Sequence, residues 1–396
     1  MTEPLALHGG RPVRPAFLPY GRQALEEDDV QAALAVLRSG WLTTGPQVAA
    51  FERAVASAVG AVHAVAVSSG TAALHAAMFA AAIGPGDEVI VPALTFVASA
   101  NAVLYQGGIP VFADVRDDTL TVDAADVAAK LTGRTRAVVA VDYAGQPADL
   151  DEIGAIARDG GLTLIEDAAH ALGAEYRGRR VGAVADLTTF SFHPVKHVTT
   201  GEGGLVTTPS RELDARLRRF RNHGFETEFT QRHERGDEYS PMVELGYNYR
   251  LTDLQCALGL SQLAKLEQFL KRRAEIAQRY RTELEGQPGL ALPAVAPHVR
   301  HGWHIFPVLL QPERFSAARR TILAALRAEN IGAAVHYVPV YWHPYYQARG
   351  YRRGLCPRAE WAFERLLTLP LFPAMTDQDV DDVLAAVRKV LAHYLR

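Results

Sequence analysis

Cysteine is nearly missing from this chain: Cys256 and Cys356 are the only two. They make no disulfide framework and no metal-ligand spacing, so no metal site is expected, and the setting is expected to be reduced and cytoplasmic. No stretch of about 18 uninterrupted apolar residues is present, so no membrane span is expected. The first residues, MTEPLALHGGRP, lack the basic start and apolar core of a signal peptide. Excess charge is small, −3 over 396 residues, which leaves no basic field for nucleic acid. Neither G-x-G-x-x-G nor a Walker loop occurs, which disfavours dinucleotide and nucleoside-triphosphate sites of those types. What remains is an ordinary globular composition, 48% hydrophobic and 21% charged, in a chain long enough for two domains.

Lysine is scarce as well. There are five: Lys130, Lys196, Lys265, Lys271 and Lys389. Four lie on polar or amphipathic helical patterns and read as solvated surface charges. Lys196 stands apart, inside FSFHPVKHVTTGEGGLV at 190–206, among small, hydroxyl and apolar residues. Gly201, Gly203 and Gly204 follow at once, marking backbone that bends sharply and approaches something closely. An amine in such a place can be kept unprotonated and can attack a carbonyl.

The chain before Lys196 alternates strands and helices. Short apolar runs at 63–69, 88–92, 110–113, 137–142 and 162–165 predict strands, with helices between them. This is the pattern of an α/β protein with a mostly parallel, doubly wound sheet. Ligands of such sheets gather at the carboxyl ends of the strands. Gly70-Thr71 opens a helix after the first strand, an anion site in principle, although many such turns bind nothing. Phe96 follows the second strand. Asp167 ends an apolar strand and reads either as a helix N-cap or as a partner for a cation. His170 is a packed core histidine or a site residue. After residue 211 the pattern changes. A polar run at 221–241 reads as a mobile, solvated loop. Thr252 caps a predicted helix reaching about residue 284. Strands are predicted at 304–310 and 332–340, and helices at 317–328 and 376–391. This end reads as a smaller α+β domain, with the division at 1–255 and 256–396.

An anion site, an aromatic, a carboxylate and a secluded amine on one rim are what pyridoxal 5′-phosphate asks for. Its aldehyde forms a Schiff base with lysine, its phosphate suits a helix N-terminus, and its ring nitrogen pairs with a carboxylate. The segments YGRQ (20–23), SSGTAAL (68–74), AGQPAD (144–149), EDAAHALGA (166–174), SFHPVKHVTTGEGG (191–204), YNYRLTD (247–253) and HYVPVY (336–341) carry a resemblance. The chain resembles the DegT/DnrJ/EryC1/StrS nucleotide-sugar aminotransferases, and within them the pseudaminic-acid-pathway transaminases. The resemblance implies the fold-type I, aspartate-aminotransferase-like architecture. It makes Lys196 the catalytic, cofactor-carrying lysine and pairs Asp167 with the ring nitrogen. It sets His170 by the ring hydroxyl, stacks Phe96 on the ring, and gives the phosphate to Gly70, Thr71 and Ser191. It has Asn248 reach the phosphate from the neighbouring subunit of a homodimer, where a lone Asn would otherwise be a local loop cap. Glutamate, with 2-oxoglutarate as its product, and a nucleotide-linked keto sugar are the implied partners. Members with histidine in place of the lysine are dehydratases, so Lys196 favours transamination. A PLP-binding regulatory module and a nicotinamide-dependent sugar enzyme are the readings of other classes. Residues 225–241 and 342–346 match no motif.

Overall fold

The computed structural model describes residues 4–227, 236 and 238–396. Its centre is a seven-stranded sheet, labelled here β1 (His63–Val67), β2 (Glu88–Pro92), β3 (Ile109–Ala113), β4 (Thr135–Val141), β5 (Thr163–Asp167), β6 (Leu187–Ser191) and β7 (Gly204–Thr208). The strand order is β1-β7-β6-β5-β4-β2-β3. Pairing is parallel from β3 through β6, and β7 runs antiparallel to both its neighbours. The inner strands are apolar on both faces because helices cover both, hence the continuous Val, Ile and Ala runs. The doubly wound α/β expectation therefore holds, with one reversed strand.

Several predicted boundaries move for local reasons. The helix predicted from Thr252 to about 284 is two helices, Asp253–Ala264 and Leu266–Leu284. They meet at Lys265, whose ammonium lies 2.6 Å from Asp28 and 2.8 Å from Asp29. Lys265 is thus buried rather than solvated. Lys130 is tied to Asp126 and the Phe112 carbonyl, and Lys389 to Glu329. Only Lys271 of those four is exposed. In the polar run at 221–241, Arg221 is buried against Glu52. Residues 228–235 and 237 of that run, expected to be mobile, lie outside the described residues.

The strand predicted at 332–340 is absent. Ala334 makes a single bridge to Thr368 and the chain then runs irregularly into the turn Val340–Trp342. Its backbone is held elsewhere: Val340 N–H donates to the Ala93 carbonyl and the Tyr143 hydroxyl donates to that of His336. A second, antiparallel sheet joins Leu290–Ala291, Phe306–Leu310 and Leu366–Leu369. Helices Arg319–Ala328 and Asp377–Tyr394 cover it, Thr376 capping the latter reciprocally with Asp379. Leu5 and Leu18 from the chain's start lie in that same core.

Candidate active site

The site forms where β1, β5 and β6 end. After β1, Ser69 caps the helix Gly70–Ala80, its Oγ accepting from Ala72 N–H at 3.1 Å. A helix that begins this way leaves its first N–H groups pointing out of the sheet. Gly70 lies directly against Ser191 at the end of β6: a Cβ added at Gly70 would sit 2.8 Å from that of Ser191. Gly204 on β7 passes so close to the Ser69 carbonyl that a Cβ there would meet it at 2.2 Å. Only glycine allows either approach, which accounts for part of the glycine density after Lys196.

These residues face a cavity of about 380 Å³. Gly70, Thr71, Phe96, Asp167, His170, Ser191 and Lys196 all line it, so seven of the eight residues picked from the sequence are brought together. Phe96, 54% exposed, stands at the mouth. Asn248 is the exception. It is exposed, pairs its backbone with Asn222, and does not line this cavity.

Asp167 is buried and accepts from Ser99 Oγ at 2.7 Å and from Ala169 N–H at 3.3 Å. Burial raises its pKa, opposed by those two donors and by Lys196. Lys196 Nζ lies 3.5 Å from His304 Nε2. Burial lowers the lysine pKa to about 8, Asp167 opposing and Arg273 assisting. Around it sit His170, His197 and His304, each held neutral, first of all by burial. His170 Nε2 meets the Tyr337 hydroxyl at 3.1 Å, and its ring packs on His304.

Sequence reasoning missed Ser99, His304 and Tyr337 as site residues. Ser99 sits in the first turn of the helix Ala98–Tyr105, one turn beyond Thr95, with which it shares a 2.8 Å hydrogen bond. The Thr95/Ser99 spacing was a signal that could have been read. His304 is aimed by tertiary contacts: its N–H goes to the Ala144 carbonyl, which also explains why the strand starts at Phe306 rather than 304. No local pattern announces that. Tyr337 belongs to HYVPVY, a segment that carried resemblance without a role.

The DegT/DnrJ/EryC1/StrS aminotransferase profile matches residues 23–388. The chain belongs to the DegT/DnrJ/EryC1/StrS aminotransferase family. It is 44% identical to the spore coat polysaccharide biosynthesis protein SpsC of Bacillus subtilis, covering 95% of this chain and 97% of that one. It superposes with a TM-score of 0.89 on PseC of Helicobacter pylori, an aminotransferase involved in the biosynthesis of pseudoaminic acid, at 30% identity over 96% and 100% of the two chains. It superposes equally well, TM-score 0.89, on Spr1654 of Streptococcus pneumoniae in its PLP-form, at 29% identity over 96% and 100%. As a member of this family the chain is a PLP-dependent sugar aminotransferase of the fold-type I architecture.

The residues present fit that cofactor. The Gly70–Ser191 contact leaves a shallow cradle at a helix N-terminus, which suits a phosphate. Among the described residues Asp167 is a buried carboxylate without a cationic hydrogen-bond partner, as a protonated ring nitrogen requires. His170 Nδ1 is buried and unpartnered.

Proposed function

We propose that this chain moves the amino group of L-glutamate to C4 of a UDP-linked 4-keto-6-deoxy-N-acetylhexosamine, in the cytoplasm, in a pseudaminic-acid-type pathway. The observation that carries the chemistry is a lysine amine of lowered basicity lining a cavity, near a buried carboxylate and a neutral histidine. The sugar itself is supported by the segments YGRQ, HPVKHVTTGEGG and HYVPVY and by the likeness to PseC.

Bound in the cavity, pyridoxal phosphate supplies an aldehyde that exchanges amino groups and a ring that withdraws the electron pair left when Cα loses its proton. The protein's residues do the rest. Ser69, Gly70, Thr71 and Ser191 hold the phosphate. Asp167, fixed by Ser99, keeps a proton on the ring nitrogen. Phe96 covers the ring, and His170, steadied by Tyr337, faces its hydroxyl. Lys196 carries the cofactor at rest. With glutamate in its place, the neutral Nζ would accept the proton from glutamate Cα and deliver it to the cofactor carbon that keeps the amino group; in the second half-reaction it would take a proton back from that carbon and give one to sugar C4.

The active unit is a homodimer in which Asn248 serves the partner's phosphate site. In support, Asn248 follows a run of exposed apolar side chains, Met242, Val243, Leu245 and Tyr247, with Leu245 74% exposed. A surface of that kind is usually covered by another chain. The division near residue 255 falls within the helix Asp253–Ala264; the part before it carries Gly70, Asp167 and Lys196, and the smaller part after it supplies His304 and Tyr337 to the same cavity.

The likeness to SpsC favours a second reading of the substrate alone: another nucleotide-linked keto sugar made for a polysaccharide. Incubation with glutamate and a panel of nucleotide-linked 4-keto and 3-keto sugars, with NMR of the products, decides between them. The proposal expects a C4-aminated UDP-sugar. A strong preference for a dTDP-linked 3-keto sugar overturns it.

A further inference from the structure

Arg273, on the helix Leu266–Leu284, is 1% exposed. Its Nη1 lies 3.2 Å from the Trp303 carbonyl, 3.1 Å from that of His304 and 3.1 Å from that of Leu371, and its Nε has no partner. Among the described residues no carboxylate pairs with it. A buried guanidinium without a counter-ion costs several kcal/mol in desolvation, and neutral carbonyls return only part of that. Such a group persists where its charge or its geometry is used.

Both lead to the same place. The carbonyl it grips at His304 belongs to the residue whose ring Nε2 is 3.5 Å from Lys196 Nζ. The peptide N–H groups of Gly302 and His304 are fixed in turn by the carbonyls of Gly145 and Ala144.

We propose that Arg273 is a positioning residue for Lys196: a buried cation without a carboxylate partner, it clamps the main chain beneath His304 and holds positive charge behind the reactive amine.

Among the described residues, the groups interacting with that amine are Asp167, His170, His197, His304, His336 and Arg273, with Glu202 and Tyr337 on the same cavity. The four histidines are held neutral, first of all by burial. Among the described residues, Asp167 and Arg273 are the opposed charges acting on it. Asp167 favours the ammonium and Arg273 disfavours it, reinforcing burial. Burial lowers the Arg273 guanidinium too, to about 9, so it is still cationic where Lys196, at about 8, gives up its proton.

The inference rests on the reading of Lys196 as the reactive amine. Its test reports that amine with neither cofactor nor substrate present, so its failure is distinct from a failure to transaminate. Full-length apoprotein is labelled with a trace of acetic anhydride across neutral to alkaline pH. Acetylation of Lys196 is then followed by peptide mass spectrometry against the exposed Lys271. The wild type is expected to label Lys196 with a midpoint of about 8. Arg273→Gln and Arg273→Met, checked for folding by circular dichroism, should raise that midpoint by about one pH unit, and Asp167→Asn should lower it. A folded Arg273 variant with an unchanged midpoint overturns the proposal. So does an ordinary lysine midpoint in the wild type, an arm that needs no variant to fold.

Discussion

Asp167→Ala should leave the phosphate cradle intact, so the protein should still bind cofactor by equilibrium dialysis. Its glutamate half-reaction, followed by stopped-flow absorbance, should slow by about 3 kcal/mol, roughly a hundredfold, the usual cost of removing one preorganised charge. A near-normal rate would contradict the role given to this carboxylate. Ser99→Ala removes only the 2.7 Å donor to it and should cost about 1 kcal/mol in the same assay. Next to Asp167 lies a second feature of the same strand end. The carboxyls of Glu166 and Asp142 are fully buried, and each has one oxygen with no outside partner. Burial raises both, Glu166 to about 7, so the folded pair keeps a proton that the unfolded chain releases. The folded state then binds more protons between the ordinary carboxylate range and about 7, so stability must fall as pH rises through that window. Thermal melts of the wild type should show this slope, and Glu166→Gln should flatten it. A slope unaltered by the substitution would remove the shared proton from the account. At this scale the sequence was informative where chemistry is rare. Five lysines left one without a surface role, and it lies in the site. The same scarcity misled at Lys265, because nothing local shows that Asp28 and Asp29, far away in the chain, will reach it.

Among elements, the strand-to-helix turn after β1 decides whether the cofactor's phosphate is held. Gly70→Ala drives a methyl to 2.8 Å from Ser191 Cβ, tighter than real contacts allow, so the turn must shift. Overpacking of this sort costs about 1–3 kcal/mol. Most of it should appear as weaker cofactor binding, tenfold or more in a fluorescence titration, with circular dichroism unchanged. Binding at wild-type strength would show that the phosphate lies elsewhere. The five strands β1 to β5 were legible because burial on both faces demands short apolar runs, and only their limits moved, by a few residues. Residues 332–340 had the same apolar look and formed no strand. There the backbone groups of His336 and Val340 are engaged by Tyr143 and Ala93, so no ladder can form. Propensity does not report such competition. The break at Lys265 was hidden for a related reason: the apolar spacing continues across it while an ion-pair cluster sets the bend.

For the whole molecule, shared sites make a prediction that no single chain can satisfy. Lys196→Ala homodimers should be inactive and Asn248→Ala homodimers should bind cofactor poorly. A mixed dimer of the two variants should regain one complete site of its two, read as restored transamination after co-assembly. Proven heterodimers without activity would mean that Asn248 serves its own subunit or none. The eight residues singled out in the sequence come from distant parts of the chain, yet seven converge on one cavity because strand ends of a parallel sheet share a rim. The eighth, Asn248, lies outside that cavity, and its proposed place in a site rests on resemblance alone, since one chain's sequence carries no signal of what a second chain covers. The central claim is that Lys196 is the lysine of a PLP-dependent aminotransferase, and one measurement reaches it directly. The purified protein, loaded with pyridoxal phosphate, is reduced with borohydride, digested, and mapped by mass spectrometry, with and without prior glutamate. The account predicts the cofactor's mass on the peptide bearing Lys196 and its loss when glutamate is added first. Cofactor mass on Lys130, Lys265, Lys271 or Lys389 instead, or on Lys196 undiminished by glutamate, would contradict it.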